Sequence, residues 1–270
     1  MNKISSTKIL GTKVSTEKKA DILKKIIKSL KEGREKFYIV TPNPEIIMYG
    51  LKEKRYQEVL NRAHISLPDG IGVLMAGKLL KKGIPERITG VDMMVDIVEE
   101  CAKEGLTTGF FGSKSSVAEK TVECLQKSYP NLKVSFVGNE WGSDGFEKAK
   151  KYQAASSTKN EESKTKLNTD YGLRSTNVID ILFVALGFPK QEKWIASNLD
   201  KIPVTAAMGV GGSFDYISGS VKRAPKFLRS IGLEWAFRLI NEPWRLKRQF
   251  ALPQFAYYII RARLLGEKEN

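Results

Sequence analysis

Six short apolar runs, most of them leading into a segment of helical periodicity, constrain this chain more than any other feature. "FYIV" (37–40) leads into a helix predicted from Pro44 to about Leu60. "HISL" (64–67) leads into one from Gly70 to Lys81, and "TTGFFGS" (107–113) into one from Ser115 to Ser128. "KVSFVG" (133–138) follows, then "DILFVALG" (180–187) before "KQEKWIASNL" (190–199), and last "PVTAAMGVG" (203–211). Such alternation predicts an α/β fold: a mainly parallel sheet with helices on both faces. Ligands of such sheets gather beyond the carboxyl ends of the strands, so the residues just after each run are the first to read for chemistry.

The first of these edges is "TPNP" (41–44). Asn43 suits a helix N-cap and Pro44 its first turn. Thr41 then ends the strand, and the free N–H groups of the helix start suit an anion. A plain tight turn accounts for the same residues. The second edge is "LPDG" (67–70). There Asp69 either caps the following helix or projects into a cleft as a general base, kept ionised by the helix dipole. Arg87, in "PERITG", is a loop arginine that is either solvated or set against a phosphate. "GFFGSKSSV" (109–117) has the form of a phosphate turn, but neither GxGxxG nor GxxxxGK[ST] occurs. Gln191 opens a helix after "ALGFPK", and Asp215 follows the glycines of "GVGGS", where a ligand can approach the backbone closely.

Charge and composition narrow the partners. The net charge is +15, and residues 221–270 carry eleven Lys/Arg against four Glu, nearly half of that excess. A balance of this kind favours an anionic partner: nucleic acid, a phosphorylated substrate or an acidic membrane surface. Phe227, Ile231, Trp235 and Leu239 fall at i, i+4 steps, which predicts one aromatic helical face flanked by basic residues. That face suits either a membrane interface or docking on the protein's own core. The chain divides into a domain over 1–220, with a polar loop at 151–176, and a basic helical appendage over 221–270. No run approaches the ~20 apolar residues of a spanning helix. Two cysteines without a CxxC, one histidine and no signal-like apolar core in the first residues point to the cytoplasm and against a zinc site. No D-x-D occurs, so a bound diphosphate would draw its positive charge from Arg, Lys and helix N-termini.

"VTPNPEI", "SLPDGIGV", "ERITGVDMM", "GFFGSKSSV", "VALGFPKQEKWI" and "GVGGSFDYISGSVKRAPKFLRSIGLEWAFRLINEPWRLKRQ" stand in order between about residues 37 and 248. Together they resemble the WecG/TagA/CpsF family of bacterial glycosyltransferases, and within it most closely the wall teichoic acid enzymes. The resemblance implies a Rossmann-like fold and inverting transfer of N-acetylmannosamine from UDP to undecaprenyl-diphosphate-linked GlcNAc. It implies work at the inner face of the membrane without a metal or other cofactor. It implies Asp69 as catalytic base, Thr41 and Asn43 lining the sugar site, and Arg87 near the donor diphosphate. Gln191 and Asp215 then fall at nucleotide or substrate positions, and Arg238, Arg245 and Arg248 are arginines that a membrane-facing appendage brings into the site. Loop 151–176 is longer than the family pattern. Another UDP-sugar, such as a uronic acid or glucose, stays open as donor, as does a homo-oligomeric state. Outside the class, a nucleic-acid-binding protein would use the basic charge, though no nucleic-acid module is recognisable. A dehydrogenase would need the absent GxGxxG.

Overall fold

The computed structural model describes residues 3–114, 116–141 and 179–265. The loop predicted at 151–176 lies outside the described residues. In chain order the strands are β1 (Ser6–Ile9), β2 (Thr12–Ser15), β3 (Phe37–Val40), β4 (Ile65–Ser66), β5 (Thr107–Gly112), β6 (Lys133–Gly138), β7 (Ile179–Ala185) and β8 (Val204–Gly209). The helices are α1 (Lys19–Glu32), α2 (Pro44–Lys52), α3 (Lys54–Arg62), α4 (Ile71–Leu79), α5 (Gly90–Glu104), α6 (Val117–Ser128) and α7 (Lys190–Asn198). The later ones are α8 (Ser213–Ile217), α9 (Lys226–Ser230), α10 (Glu234–Asn241), α11 (Leu246–Gln249) and α12 (Ala251–Leu265).

All six predicted runs are strands of one sheet in the order β4-β3-β8-β7-β5-β6, and every pairing is parallel. Period-two alternation divides their side chains between two cores. Ile39, Ile181, Phe183 and Met208 pack with residues of α1, α5 and α6 on one face. Tyr38, Val40, Leu182, Val184 and Ala207 pack with Tyr56 and Leu60 of α3 and Ile195 of α7 on the other. Both faces are covered, which is the condition a parallel sheet needs. Phe110 is wholly buried on the first face, with the Phe183 and Phe214 rings 5.5 and 5.8 Å away.

The helix predicted from Pro44 to Leu60 is two helices. The chain leaves helical geometry at Glu53 (φ −117°, ψ 91°), which ends α2 and starts α3. The predicted stripe Phe227–Ile231–Trp235–Leu239 is also divided. Gly232 takes φ +80°, so α9 stops and α10 begins at a new angle, and the four residues share no single helix. The antiparallel hairpin β1–β2 turns through Leu10 and Gly11, both at positive φ. It joins a third cluster in which Ile9 and Val14 meet Ile47 and Met48 of α2, Val73 and Ala76 of α4, and Phe255 and Ile259 of α12. The last helix therefore docks on the protein's own core through one face, while Tyr257, Ile260 and Leu264 stay exposed.

Replacing Phe110 with Ala removes the ring at the centre of the first core. A loss of about 3–5 kcal/mol is expected. Urea denaturation should show a lower midpoint with an unchanged slope.

Candidate active site

The carboxyl ends of the strands open into one cleft of about 650 Å³. Thr41, Asn43, Asp69, Arg87, Gln191, Asp215, Arg238 and Arg248 all line it. The sequence places these residues on seven different segments, and the parallel sheet brings them to one edge. Arg245 lies in a single 3-10 turn (Pro243–Arg245), and its side chain lies outside the described residues.

Backbone hydrogen bonds continue the sheet past the strand ends. The Leu67 N–H donates to Val40 O at 2.8 Å and the Asp69 N–H to Pro42 O at 3.1 Å. The Ile88 N–H donates to Pro68 O at 2.9 Å. These bonds hold "TPNP", "LPDG" and the Arg87 loop in fixed register. Asn43 caps α2 with its Oδ1, which accepts from the Ile46 N–H at 3.0 Å, leaving its NH2 as the group available to a ligand. A Cβ on Gly72 would lie 2.7 Å from Pro44 Cγ, so the start of α4 packs against the start of α2. A Cβ on Gly90 would lie 3.2 Å from Thr41 Cγ2, so α5 starts at the same corner. Three helix N-termini converge there, and their combined dipoles favour negative charge.

Asp69 is half-buried in the cleft wall, with its Oδ2 3.5 Å from the Gly90 N–H. Burial among protein atoms pushes its carboxyl up to about 7, with the nearby Glu234 adding to the rise. The Gly90 N–H and Arg87 act in the opposite direction and do not overcome it. Burial thus works against the helix dipoles that favour the ionised form of Asp69. Gly70, not Asp69, occupies the N-cap of α4, and desolvation outweighs the favourable dipoles. The carboxyl is balanced between its two protonation states near neutrality, the condition suited to exchanging a proton with substrate.

Cationic groups face this corner from the C-terminal segment. Arg238 stacks 5.0 Å from the Tyr216 ring centroid, and its Nε lies 3.5 Å from the buried Glu242. Gly212 allows this placement: a Cβ there would come within 2.7 Å of Arg238 Nη2 and 3.4 Å of Asp215 Oδ2. Arg248 pairs with Glu45 in the first turn of α2 and covers the Phe188 ring at 4.8 Å. Gln191 is almost fully buried and engaged within the protein. Its Oε1 accepts from the Gly211 N–H at 2.9 Å and its NH2 donates to Glu192 Oε1 at 2.8 Å. It thereby fixes the glycine turn after β8.

Several residues of the site escape a reading by motif. Lys114 lines the cleft just after the Gly-Ser turn of β5. Arg223 donates to Asp92 Oδ1 at 2.7 Å and to Glu234 Oε1 at 3.2 Å, and Asp92 in turn accepts from the Thr89 hydroxyl at 2.6 Å. Arg87 donates to the Arg229 carbonyl at 2.8 Å. These bonds pin the segment after β8 to the start of α5. Lys114 falls within the "GFFGSKSSV" turn, and only the excess of basic residues after 220 hinted at Arg223 and Arg229. Among the described residues, no three His, Cys, Asp or Glu side chains come together as a cation cage requires.

The sequence profile of the glycosyl transferase WecG/TagA/CpsF family matches residues 7–269. The chain is similar to the N-acetylglucosaminyldiphosphoundecaprenol N-acetyl-beta-D-mannosaminyltransferase of Bacillus spizizenii, with 33% identity over 224 residues, 83% of this chain and 79% of that protein. The protein of the same name from Bacillus subtilis is 33% identical over 223 residues, 83% and 78% of the two chains. That of Staphylococcus aureus strain MW2 is 30% identical over 234 residues, 86% and 83%. With six sequence blocks gathered at one strand-end cleft and a profile spanning nearly its whole length, the chain belongs to the WecG/TagA/CpsF family of glycosyl transferases.

Proposed function

We propose that the protein is an inverting glycosyltransferase that moves N-acetylmannosamine from UDP to undecaprenyl-diphosphate-linked GlcNAc in the synthesis of a wall teichoic acid linkage unit. The observation that carries this reading is the position of Asp69. It is a carboxyl balanced near neutrality, in one cleft with three converging helix starts and the guanidinium groups of Arg87, Arg238 and Arg248. The names of the curated relatives supply the sugar and the lipid acceptor. They do not favour a uronic acid or glucose donor. A cleft of this composition also gives the basic charge a use that requires no nucleic acid.

In this mechanism the GlcNAc hydroxyl approaches the anomeric carbon from the face opposite UDP. Asp69 takes the hydroxyl proton as the new bond forms, and the sugar–phosphate bond breaks with its electron pair left on UDP. Arg238 and Arg248, with Arg87, meet the charge that grows on the diphosphate, and the helix N-termini add to it. Thr41 and the Asn43 NH2 orient the donor sugar, while Gln191 and Asp215 shape the nucleotide side. Cationic side chains take the place of a divalent ion, so no cofactor is invoked. The enzyme works at the cytoplasmic face of the membrane, where its basic appendage over 221–270 meets anionic lipid. Among the described residues no helix is long and apolar enough to cross a membrane.

Asp69→Asn should lower kcat by roughly 10²- to 10⁴-fold in a UDP-release assay, the usual contribution of a positioned base. The wild-type kcat/KM should rise with pH up to about 7 and then level, because the base acts only when deprotonated, and the variant should lose that limb.

The same substitution carries a stability signature. The folded-state affinity of Asp69 for its proton exceeds the unfolded one, so its ionisation destabilises the fold as pH rises from about 4 to about 7. Asp69→Asn should raise Tm at pH 8 and leave it nearly unchanged at pH 4. An unaltered Tm at both pH values would contradict the burial account.

Arg238→Ala should lower kcat by roughly 10²-fold, as expected for loss of one charge-stabilising donor, while circular dichroism stays native. Turnover equal to wild type would remove Arg238 from the reaction.

A further inference from the structure

Helix α4 carries an apolar strip that the proposed chemistry does not use. Val73, Ala76 and Gly77 face inward, with Gly77 held so close to Ile84 that a Cβ would meet its Cδ1 at 2.7 Å. The outer face is different. Met75 is 62% and Leu79 44% exposed, and outside the segment 227–265 they are the only exposed large apolar side chains among the described residues. With Ile71 they stand at i, i+4 and i+8, a single stripe about 12 Å long. The exposed Lys78 lies on the same side, and Lys81 follows directly. No acidic residue occurs between Asp69 and Glu86.

This stripe is continuous with two other features. At its outer flank, Gly232 packs on Ile71 so tightly that a Cβ would lie 2.8 Å from Ile71 Cβ, and both neighbours of that glycine, Ile231 and Leu233, are exposed. At its inner end, Ile71 and Gly72 line the cleft beside Asp69. An exposed apolar path therefore runs from the α9–α10 turn, past the mouth of the cleft, to a lysine-bearing helix end. Isolated exposed apolar residues are ordinary, but a connected strip bordered along α4 by Lys78 and Lys81 matches an anionic bilayer surface.

We propose that the outer face of α4, through Met75 and Leu79 with Lys78 and Lys81, inserts into an anionic bilayer and seats the mouth of the cleft at the lipid surface. This deepens the proposed function and rests on it for the identity of the acceptor. It adds a bilayer contact within the 1–220 domain, on a helix that begins two residues downstream of the proposed base. The acceptor GlcNAc hydroxyl then reaches Asp69 while its own diphosphate stays in the headgroup layer.

The test uses the full chain with Met75→Glu/Leu79→Glu, and Met75→Leu/Leu79→Met as the apolarity-preserving control. Both positions are exposed and outside the cleft lining, so the folded state should persist, checked by Tm. Sedimentation with vesicles of equal parts phosphatidylglycerol and phosphatidylcholine measures binding. UDP release is followed with the acceptor in those vesicles and with a short-chain, water-soluble acceptor. The Glu variant should lose roughly 10- to 100-fold in vesicle binding, the range expected for two lost apolar insertions. Turnover on the vesicle acceptor should fall with it, turnover on the soluble acceptor should hold, and the Leu/Met control should match wild type. Unchanged vesicle binding in the Glu variant overturns the inference and leaves the proposed reaction standing. A shift in oligomeric state without a change in vesicle binding also overturns it, assigning the strip to a second copy of the chain. If the wild type releases UDP with neither acceptor, the proposed reaction fails, and the vesicle arm still decides whether α4 meets lipid.

Discussion

All six strands of the main sheet run in one direction, and the placement of the site follows from that constraint. A parallel strand needs a crossover before the next, so the start of each following helix comes to the same edge as the strand's carboxyl end. In this protein α2, α4 and α5 all begin there, within van der Waals reach of one another through Pro44, Gly72, Gly90 and Thr41. Their N–H groups and dipoles set a positive potential at the corner before any side chain is counted. A carboxyl at that corner would ordinarily be held ionised. For Asp69 burial works against this, because the crowding that brings the helix starts together also removes water from it and raises its carboxyl to about 7. The sheet thus supplies both a corner that favours negative charge and a carboxyl with appreciable proton affinity.

The second element of the account is the way the C-terminal segment is fastened. Arg223 bridges Asp92 and Glu234, and the Arg87 guanidinium donates to the Arg229 carbonyl. Arg223 is only partly exposed, and its Nη2 is a buried atom without a geometric hydrogen-bond partner. Removing one member of such a network costs more than the pair contributes, since a charge is left unmatched away from water. The segment that turns its aromatic and aliphatic residues outward is the one that turns Arg238 and Arg248 inward. The exposed apolar surface and the cationic lining of the cleft therefore come from the same stretch of chain.

Much of this was legible in the sequence, and for identifiable reasons. The strands are read from their apolar runs because a sheet buried on both faces leaves little choice of residue. The cap at Asn43 is read from Asn-Pro, a purely local signal. Thr41, Asp69 and Asp215 follow from the strand-end rule. What escaped the reading depends on distance along the chain or on chirality. Asp92 and Arg223 are 131 residues apart, and no local pattern joins them. The break at Gly232 converts a regular i, i+4 stripe into two short helices, because a left-handed glycine outranks helical periodicity. The state of Asp69 is a tertiary property: its local sequence suggests a stabilised anion, and only packing reverses that. Gln191 stands at a family-like position, yet its Oε1 holds the turn after β8 and its NH2 donates to the neighbouring Glu192.

The central claim is that fixed guanidinium groups and helix N-termini, rather than a bound cation, meet the charge on the departing diphosphate. The most direct measurement is release of UDP from UDP-N-acetylmannosamine in the presence of a lipid-diphosphate GlcNAc acceptor and excess EDTA. The account predicts an undiminished rate and a product of inverted anomeric configuration by NMR. A rate abolished by the chelator and restored by manganese or magnesium would contradict it.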